Sequence, residues 1–310
     1  MHNISVCIKK TVMPRRAIKS KREIQNFLKS RLFFYTLLYK NNENGRFVIK
    51  MDTDKECYSD ILIVGYGNIG KHIHEELKGA GEISIQDIYK PEYTLPDKKT
   101  FSFAFICVPT DMGEDGSVNI SEVEKAVINT EAKIIVIKST VPIGTCERLI
   151  DKYGKEIVYS PEYYGTTIHA PKSPNFLILA GDKKNTRKVA ELYQRVKNGS
   201  FRITFTDYKT AELAKYMENC FLALKVTFCS EFYDIAEEHG ISYPELREIF
   251  VQDERMGDSH TYVNPEETYF NSHCLNKDIP GLISQTKRAP LMKAMYKINQ
   301  DKKTGVIRYK

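Results

Sequence analysis

The ten residues "ILIVGYGNIG", 61 to 70, limit the fold more than any other stretch of this 310-residue chain. Four branched apolar residues read as a buried strand, and Gly65, Gly67 and Gly70 follow in G-x-G-x-x-G spacing, opening a helix read over 68–79. Asp87 then closes a second strand, "EISIQD", 20 residues beyond Gly67. Glycines so spaced allow a tight turn and a close approach of backbone to pyrophosphate at a helix N-terminus, and the carboxylate accepts from ribose hydroxyls. The context predicts a dinucleotide site, against the plain alternative of a glycine turn without a ligand. A carboxylate at 87 repels a 2′-phosphate and favours NAD over NADP, with Lys90 pulling the other way.

The same grammar continues. Strands are read at 101–108, 133–138 and 157–160, with helices over 121–129 and 144–153 between them; "FLILAG" (176–181), a helix near 184–196 and "RITF" (202–205) complete the series. Continuous apolar strands alternating with helices predict an α/β, Rossmann-like, doubly wound parallel sheet covered on both faces. From 208 the pattern turns helical. Leu213, Met217, Cys220, Leu224, Phe228, Phe232 and Ile235 recur at three- and four-residue steps, and nothing interrupts them before Gly240, so one long central helix is expected. The chain thus divides into an extension (1–57), a cofactor domain (58–206) and a helical domain (207–310). The apolar stripe suits the long helix to pairing with a second copy of itself.

Charge separates the extension from the rest. Residues 1–50 carry 12 Lys and Arg against 2 acidic residues, while the remainder carries 34 against 38. The body is near neutral and lacks interleaved aromatic and basic residues, which argues against nucleic-acid binding. "REIQNFLKSRLFFYTLLY" (22–39) reads as an amphipathic helix; its apolar run is too short to span a bilayer and lacks a signal-peptide cleavage pattern. Seven scattered cysteines, none in a C-x-x-C pair, exclude a disulfide framework and a structural zinc site, and imply reduced thiols in a cytoplasmic setting.

Two further stretches carry chemistry. Lys215 and Asn219 lie four residues apart on one face of the long helix, with Glu212 beside them. They read either as a solvated charged stripe or as a cation and an amide poised for a developing oxyanion. Cys274 sits in "NSHCLNKDIPGL", read as a loop, between His273 and the Lys277–Asp278 pair. Neighbouring positive charge lowers a thiol's pKa and makes a nucleophile, whereas a small buried core cysteine is the plainer reading.

Taken together, "GYGNIG", "FAFICVPT", "IVIKSTVPIGT", "YSPEYYG", "AELAKYMENCFLALKVTFCSE", "DERMG" and "HCLNKD" stand in the order found in the UDP-glucose/GDP-mannose dehydrogenase family, which the chain resembles from about Asp60 to Asp278. The resemblance implies Cys274 as nucleophile, Asp278 and Thr140 as groups that position water or take up protons, Lys215 and Asn219 as oxyanion stabilisers, and Glu162 as a further acid/base. It implies NAD along Gly65, Gly67, Asn68, Ile69, Gly70, Asp87, Val108, Pro109, Thr110, Ser139 and Thr140, and the substrate against Glu162, Tyr163, Tyr164, Lys215 and Asn219. No metal is implied. The reaction so implied is a four-electron oxidation of a nucleotide-sugar primary alcohol, such as that of UDP-glucose, to a carboxylate through a cysteine thioester, in a homodimer built on the long helix.

Several positions depart from the family pattern. Thr166 stands where a second glutamate is usual, with His169 nearby; Asn271, Ser272 and His273 replace glycines before the cysteine, and Asn276 replaces a proline. The sequence ends at Lys310, about where the connection to a C-terminal nucleotide-binding domain is expected. Two other readings therefore stay open: a catalytically weak NAD-binding homologue acting as a regulatory or assembly partner, and a two-domain β-hydroxyacid dehydrogenase, which needs no thiol.

Overall fold

A computed structural model describes residues 38–41, 47–50, 59–95, 99–164, 174–197 and 201–306. It forms two compact units, Met1–Cys57 and Tyr58–Lys310. In the first, strands β1 (Leu38–Asn41) and β2 (Phe47–Lys50) pair antiparallel. Leu38 and Tyr39 are therefore extended, contrary to the helix read through them; the rest of that helix lies outside the described residues. The β-branched and aromatic residues of this stretch suit a pleated strand as well as a helix face.

The second unit is built on a seven-stranded sheet. Its strands are β3 (Ser59–Val64), β4 (Gly81–Gln86), β5 (Phe101–Ile106), β8 (Ala132–Ile137), β9 (Ile157–Tyr159), β10 (Phe176–Gly181) and β11 (Arg202–Thr206), in the order β11-β10-β9-β8-β5-β3-β4. A small hairpin, β6 (Asp111–Met112) with β7 (Val118–Asn119), hangs from the end of β5. The sheet is Rossmann-like, with helices on both faces. Alternate residues of one strand serve opposite cores. Ile61 and Ile63 pack with Ile73 and Leu77 of helix α1 (Asn68–Leu77) and with Val189 and Tyr193 of α4 (Lys183–Gln194). Leu62 and Val64 pack with Val123 and Val127 of α2 (Ser121–Asn129) and with Cys146 and Leu149 of α3 (Thr145–Tyr153). The sheet is not wholly parallel as expected, since β10 runs antiparallel to β9 and carries β11 with it. Apolar patterning fixes how deeply a strand is buried but not its direction, so the reversal leaves no trace in the sequence.

Helix α5 (Tyr208–Glu238) is one uninterrupted run, capped by Asp207, whose carboxylate accepts from Thr210 N and Oγ1. Three shorter helices follow: α6 (Tyr243–Phe250), α7 (His273–Ser284) and α8 (Pro290–Lys303). Cys220 and Ala223 of α5 pack with Leu275 and Ile279 of α7 and Met295 of α8. The apolar stripe read on α5 is thus divided. Cys220 is buried, but Leu213 (47%), Met217 (72%), Phe228 (47%) and Phe232 (41%) remain exposed, and so does Phe221 between them.

Glu212 stands beside Lys215 and Asn219 in the sequence pattern, yet its fully buried carboxylate turns elsewhere and accepts from Gly144 N (2.5 Å) and Cys146 N (2.9 Å) at the start of α3. It satisfies N–H groups that a helix N-terminus otherwise leaves unpaired, and so joins α5 to the sheet half. Glu212→Ala should cost about 1–3 kcal/mol of stability, read as a lowered midpoint in thermal or urea unfolding.

Candidate active site

The strand-to-helix turn at Gly65 begins the site. Gly65 adopts φ +87°, and a side chain there would meet Cys107 O at 2.9 Å; a Cβ on Gly70 would meet Gly65 O at 2.0 Å. The turn and helix α1 can close this tightly only without those side chains. Gly67 faces open space, with nothing within 4 Å of a Cβ built on it, and α1 has no side-chain cap at this end. Uncapped N–H groups beside this open space fit a pyrophosphate. At the tip of β4, Asp87 accepts from Tyr66 N (2.8 Å) and Tyr89 N (2.9 Å), with Lys90 Nζ 3.6 Å away. Burial alone would raise its carboxyl, but those N–H groups and Lys90 hold it below the ordinary range. Each carboxylate oxygen keeps a free lone pair for a ribose hydroxyl.

From this turn a cleft of about 1350 Å³ runs past the ends of β5, β8 and β9 to helices α5 and α7. Along it lie Gly65, Gly67, Asn68, Ile69, Asp87, Val108, Pro109, Thr110, Ser139, Thr140, Glu162, Tyr163, Tyr164, Lys215, Asn219 and Cys274. Gly70, Glu212 and Asp278, also singled out in the sequence, do not line it. Two hydrogen bonds lock the strand-end loops: Ser139 Oγ donates to Val108 O (2.7 Å), and Thr110 Oγ1 donates to Thr140 O (3.0 Å). Beneath them is a buried ion pair, Lys138 to Glu162 at 3.2 Å. The other Glu162 oxygen accepts from Tyr163 N and Tyr164 N, both at 2.9 Å, and so fixes the chain where it leaves β9. Thr166 and His169 lie outside the described residues.

The far wall comes from the helices. Cys274 is not in a loop: it occupies the first turn of α7, capped by Ser272, whose hydroxyl accepts from Leu275 N. Pro280 and Gly281 make the stretch look like a loop in sequence, but both are helical and buried. Gly281 lets α7 lie on the hairpin, since a Cβ there would come 2.5 Å from Val118 Cγ2. Asp278 is fully buried behind the cleft wall, accepting from Asn219 Nδ2 (2.6 Å) and Lys277 Nζ (2.6 Å). Lys215 extends into the cleft, its Nζ 4.5 Å from the centre of the Tyr163 ring and in contact with Glu218.

Cys274 is exposed to the cleft, whereas Cys107, Cys146, Cys220 and Cys229 are buried. Its thiol does not follow the lowering expected from nearby lysines. Although the residue opens on the cleft, protein packed around the sulfur displaces part of its solvent and raises it, Asp278 and Glu218 add to that, and the opposing pull of Lys277 and Lys215 is smaller. Two cleft residues were missed in the sequence. Lys138 was read only as a strand end. Glu218 lies three residues after Lys215, on the same helix face, which is the signal that could have identified it.

The sequence profile of the UDP-glucose/GDP-mannose dehydrogenase family, NAD binding domain, matches residues 86–197, and that of the family's central domain matches 209–301. The chain belongs to this family. A UDP-glucose 6-dehydrogenase of Campylobacter jejuni is 29% identical over 282 residues, covering 86% of this chain and 68% of the relative. A UDP-N-acetyl-D-mannosamine dehydrogenase of Methanocaldococcus jannaschii is 27% identical over 271 residues, covering 81% of this chain but 59% of its own length. Among solved structures, a UDP-glucose dehydrogenase of Pyrobaculum islandicum has the same fold (TM-score 0.67, 20% identity, 78% of this chain and 68% of that one). A Mycobacterium tuberculosis 3-hydroxyisobutyrate dehydrogenase shares it too (TM-score 0.57, 16% identity, 79% and 93%).

The cofactor of the family's N-terminal domain, and of this cleft, is NAD. The open space at Gly67 and the uncapped start of α1 have the room and the donors a pyrophosphate requires, and Asp87 has acceptor capacity for a ribose hydroxyl. Gly67→Val should fill that space and weaken NAD binding at least tenfold by calorimetric titration, while leaving the thermal midpoint unchanged because no protein atom occupies the position.

Proposed function

We propose that the cleft oxidises a nucleotide-sugar primary alcohol to the uronic acid through a covalent adduct on Cys274. The observation that supports this most is the convergence of Cys274 on α7 with Lys215 and Asn219 on α5 in the cleft that the glycine turn opens. Bound NAD supplies the hydride acceptor for each of two successive two-electron oxidations. The protein's part lies between them. The sulfur of Cys274 adds to the aldehyde carbon, and the oxygen that takes up the electron pair faces the Lys215 ammonium and the Asn219 amide. After the second oxidation the sulfur holds an acyl group as a thioester. Water adds to its carbonyl, the thiolate leaves, and the carboxylate is released. Thr140 and Glu162, which line the cleft, are assigned to orient that water and receive its proton, and Asp278 to act from behind, through Asn219.

A reading as a two-electron β-hydroxyacid dehydrogenase shares the fold but leaves Cys274 without a task. A reading as a weakly active NAD-binding partner draws support from the raised Cys274 thiol and from the pairing of Lys215 with Glu218. Incubation with NAD and a panel of nucleotide sugars, following NADH and uronic acid, separates the three. Under the proposed function, Cys274→Ser abolishes uronic acid, at least a thousandfold down, while NAD binding persists. Uronic acid formed at the wild-type rate would return the thiol to a packing role.

We also propose a homodimer. The exposed face of α5 through Leu213, Met217, Phe221, Phe228 and Phe232 is an apolar ridge that a second copy of the same helix can cover. Light scattering at micromolar concentration should give twice the 35.7 kDa chain mass, and Met217→Glu combined with Phe221→Glu should return it to the single-chain value.

A further inference from the structure

Glu218 has no task in the reaction proposed above, yet it lines the cleft with Cys274 and its carboxylate contacts the Lys215 ammonium. Lys215 is thus held from two sides, by that carboxylate and by the face of the Tyr163 ring. The lysine side chain is only 10% exposed, so its charge acts through little water. The charged and titratable groups around the pair are Glu162 and Tyr163 after β9, Lys215 on α5 itself, and Cys274, Lys277 and Asp278 on α7, with exposed His273 at the helix start. Burial pushes the Glu218 carboxyl upward, Lys215 pulls it down, and Glu162 and Asp278 push it further up. The same two residues act on the thiol in opposite senses, Lys215 lowering it and Glu218 raising it. A cation with a carboxylate against it presents a dipole rather than a charge, and its field on a third group falls off more steeply with distance.

We propose that Glu218 is a positioning residue for the nucleophile: by holding the Lys215 ammonium against Tyr163 it withholds that charge from Cys274, and a substrate oxygen that draws Lys215 away releases it. The inference rests on the proposed roles of Cys274 and Lys215. It makes the thiol unreactive in the empty cleft and couples its activation to the arrival of the group it attacks. A carboxylate that served only to order the Lys215 side chain, without changing its field at the sulfur, would leave the thiol unaffected.

The test is the rate of Cys274 alkylation by iodoacetamide as a function of pH, in the full chain without substrate, read by peptide mass spectrometry. It needs no turnover, so its outcome and that of the sugar panel are independent. Glu218→Gln, which keeps the side-chain shape, and Glu218→Ala should each speed Cys274 alkylation at pH 7 by about threefold to tenfold and move its midpoint to lower pH. Lys215→Gln should slow it, and Glu218→Gln in that background should recover less than half of the gain. Unchanged midpoints in both Glu218 variants would overturn the proposal. So would an equal gain with Lys215 already removed, which would mean direct repulsion, or a parallel gain at buried Cys220 and Cys229, which would mean general loosening.

Discussion

The carboxylate of Asp278 has no access to water, and withdrawing a charge this far costs several kcal/mol unless partners replace the lost solvent. Its partners are Asn219 on α5 and Lys277 beside it on α7, each at 2.6 Å. Because the bond to Asn219 crosses from one helix to another, the requirement to satisfy a buried charge fixes α7 against α5 in rotation and height. Cys274 lies four residues before Asp278 and so one turn away on the same face of α7, while Lys215 lies one turn before Asn219 on α5. The relative placement of thiol and ammonium therefore follows from a bond that neither of them makes.

A second buried pair does the corresponding work on the sheet side. Lys138 and Glu162 neutralise each other at the ends of β8 and β9, and the spare Glu162 oxygen collects the N–H groups of Tyr163 and Tyr164. That sets the Tyr163 ring beneath the Lys215 ammonium. Lys215 is thus one of the points at which the two halves of the unit meet, held by an aromatic face from the sheet side and a carboxylate from its own helix. Neither buried pair is strong evidence of stability, since apolar replacements can be as stable. Their contribution is direction: each fixes which way one wall of the cleft faces.

The parts legible in the sequence were those with a local physical cause. The glycine turn, the alternation of strands and helices and the length of α5 follow from sterics and from apolar spacing, and they stand within a few residues of where they were read. The reversal of β10 was not legible, because strand direction depends on how the connection is routed and not on what the strand buries. Helix α7 was hidden by Pro280 and Gly281, residues chosen for packing against the hairpin rather than for helix propensity. Glu212 was misplaced because a shared helix face says nothing of what lies opposite it; three residues from Lys215, it reaches α3 and not the cleft. The raised thiol of Cys274 is illegible for the same reason, since adjacent lysines are visible in sequence whereas the protein that crowds the sulfur is not.

The raised Cys274 thiol bears on the order of difficulty within the proposed reaction. A thiol held above its ordinary range is present as thiolate in a smaller fraction at neutral pH, but the thiolate it forms is intrinsically the better nucleophile. Its weakness is as a leaving group, because a more basic sulfur departs more slowly from an acyl carbon. Addition to an aldehyde therefore suits this cleft, provided Lys215 is free to meet the developing oxyanion. Expulsion of the thiolate by water is the step that most needs positive charge close to sulfur, and Lys215 and Lys277 are the two groups placed to supply it. Lys277 is already committed to the Asp278 carboxylate at 2.6 Å. Lys215, whose counter-ion stands in the open cleft rather than behind its wall, is the cation whose charge the site can redirect between the two steps.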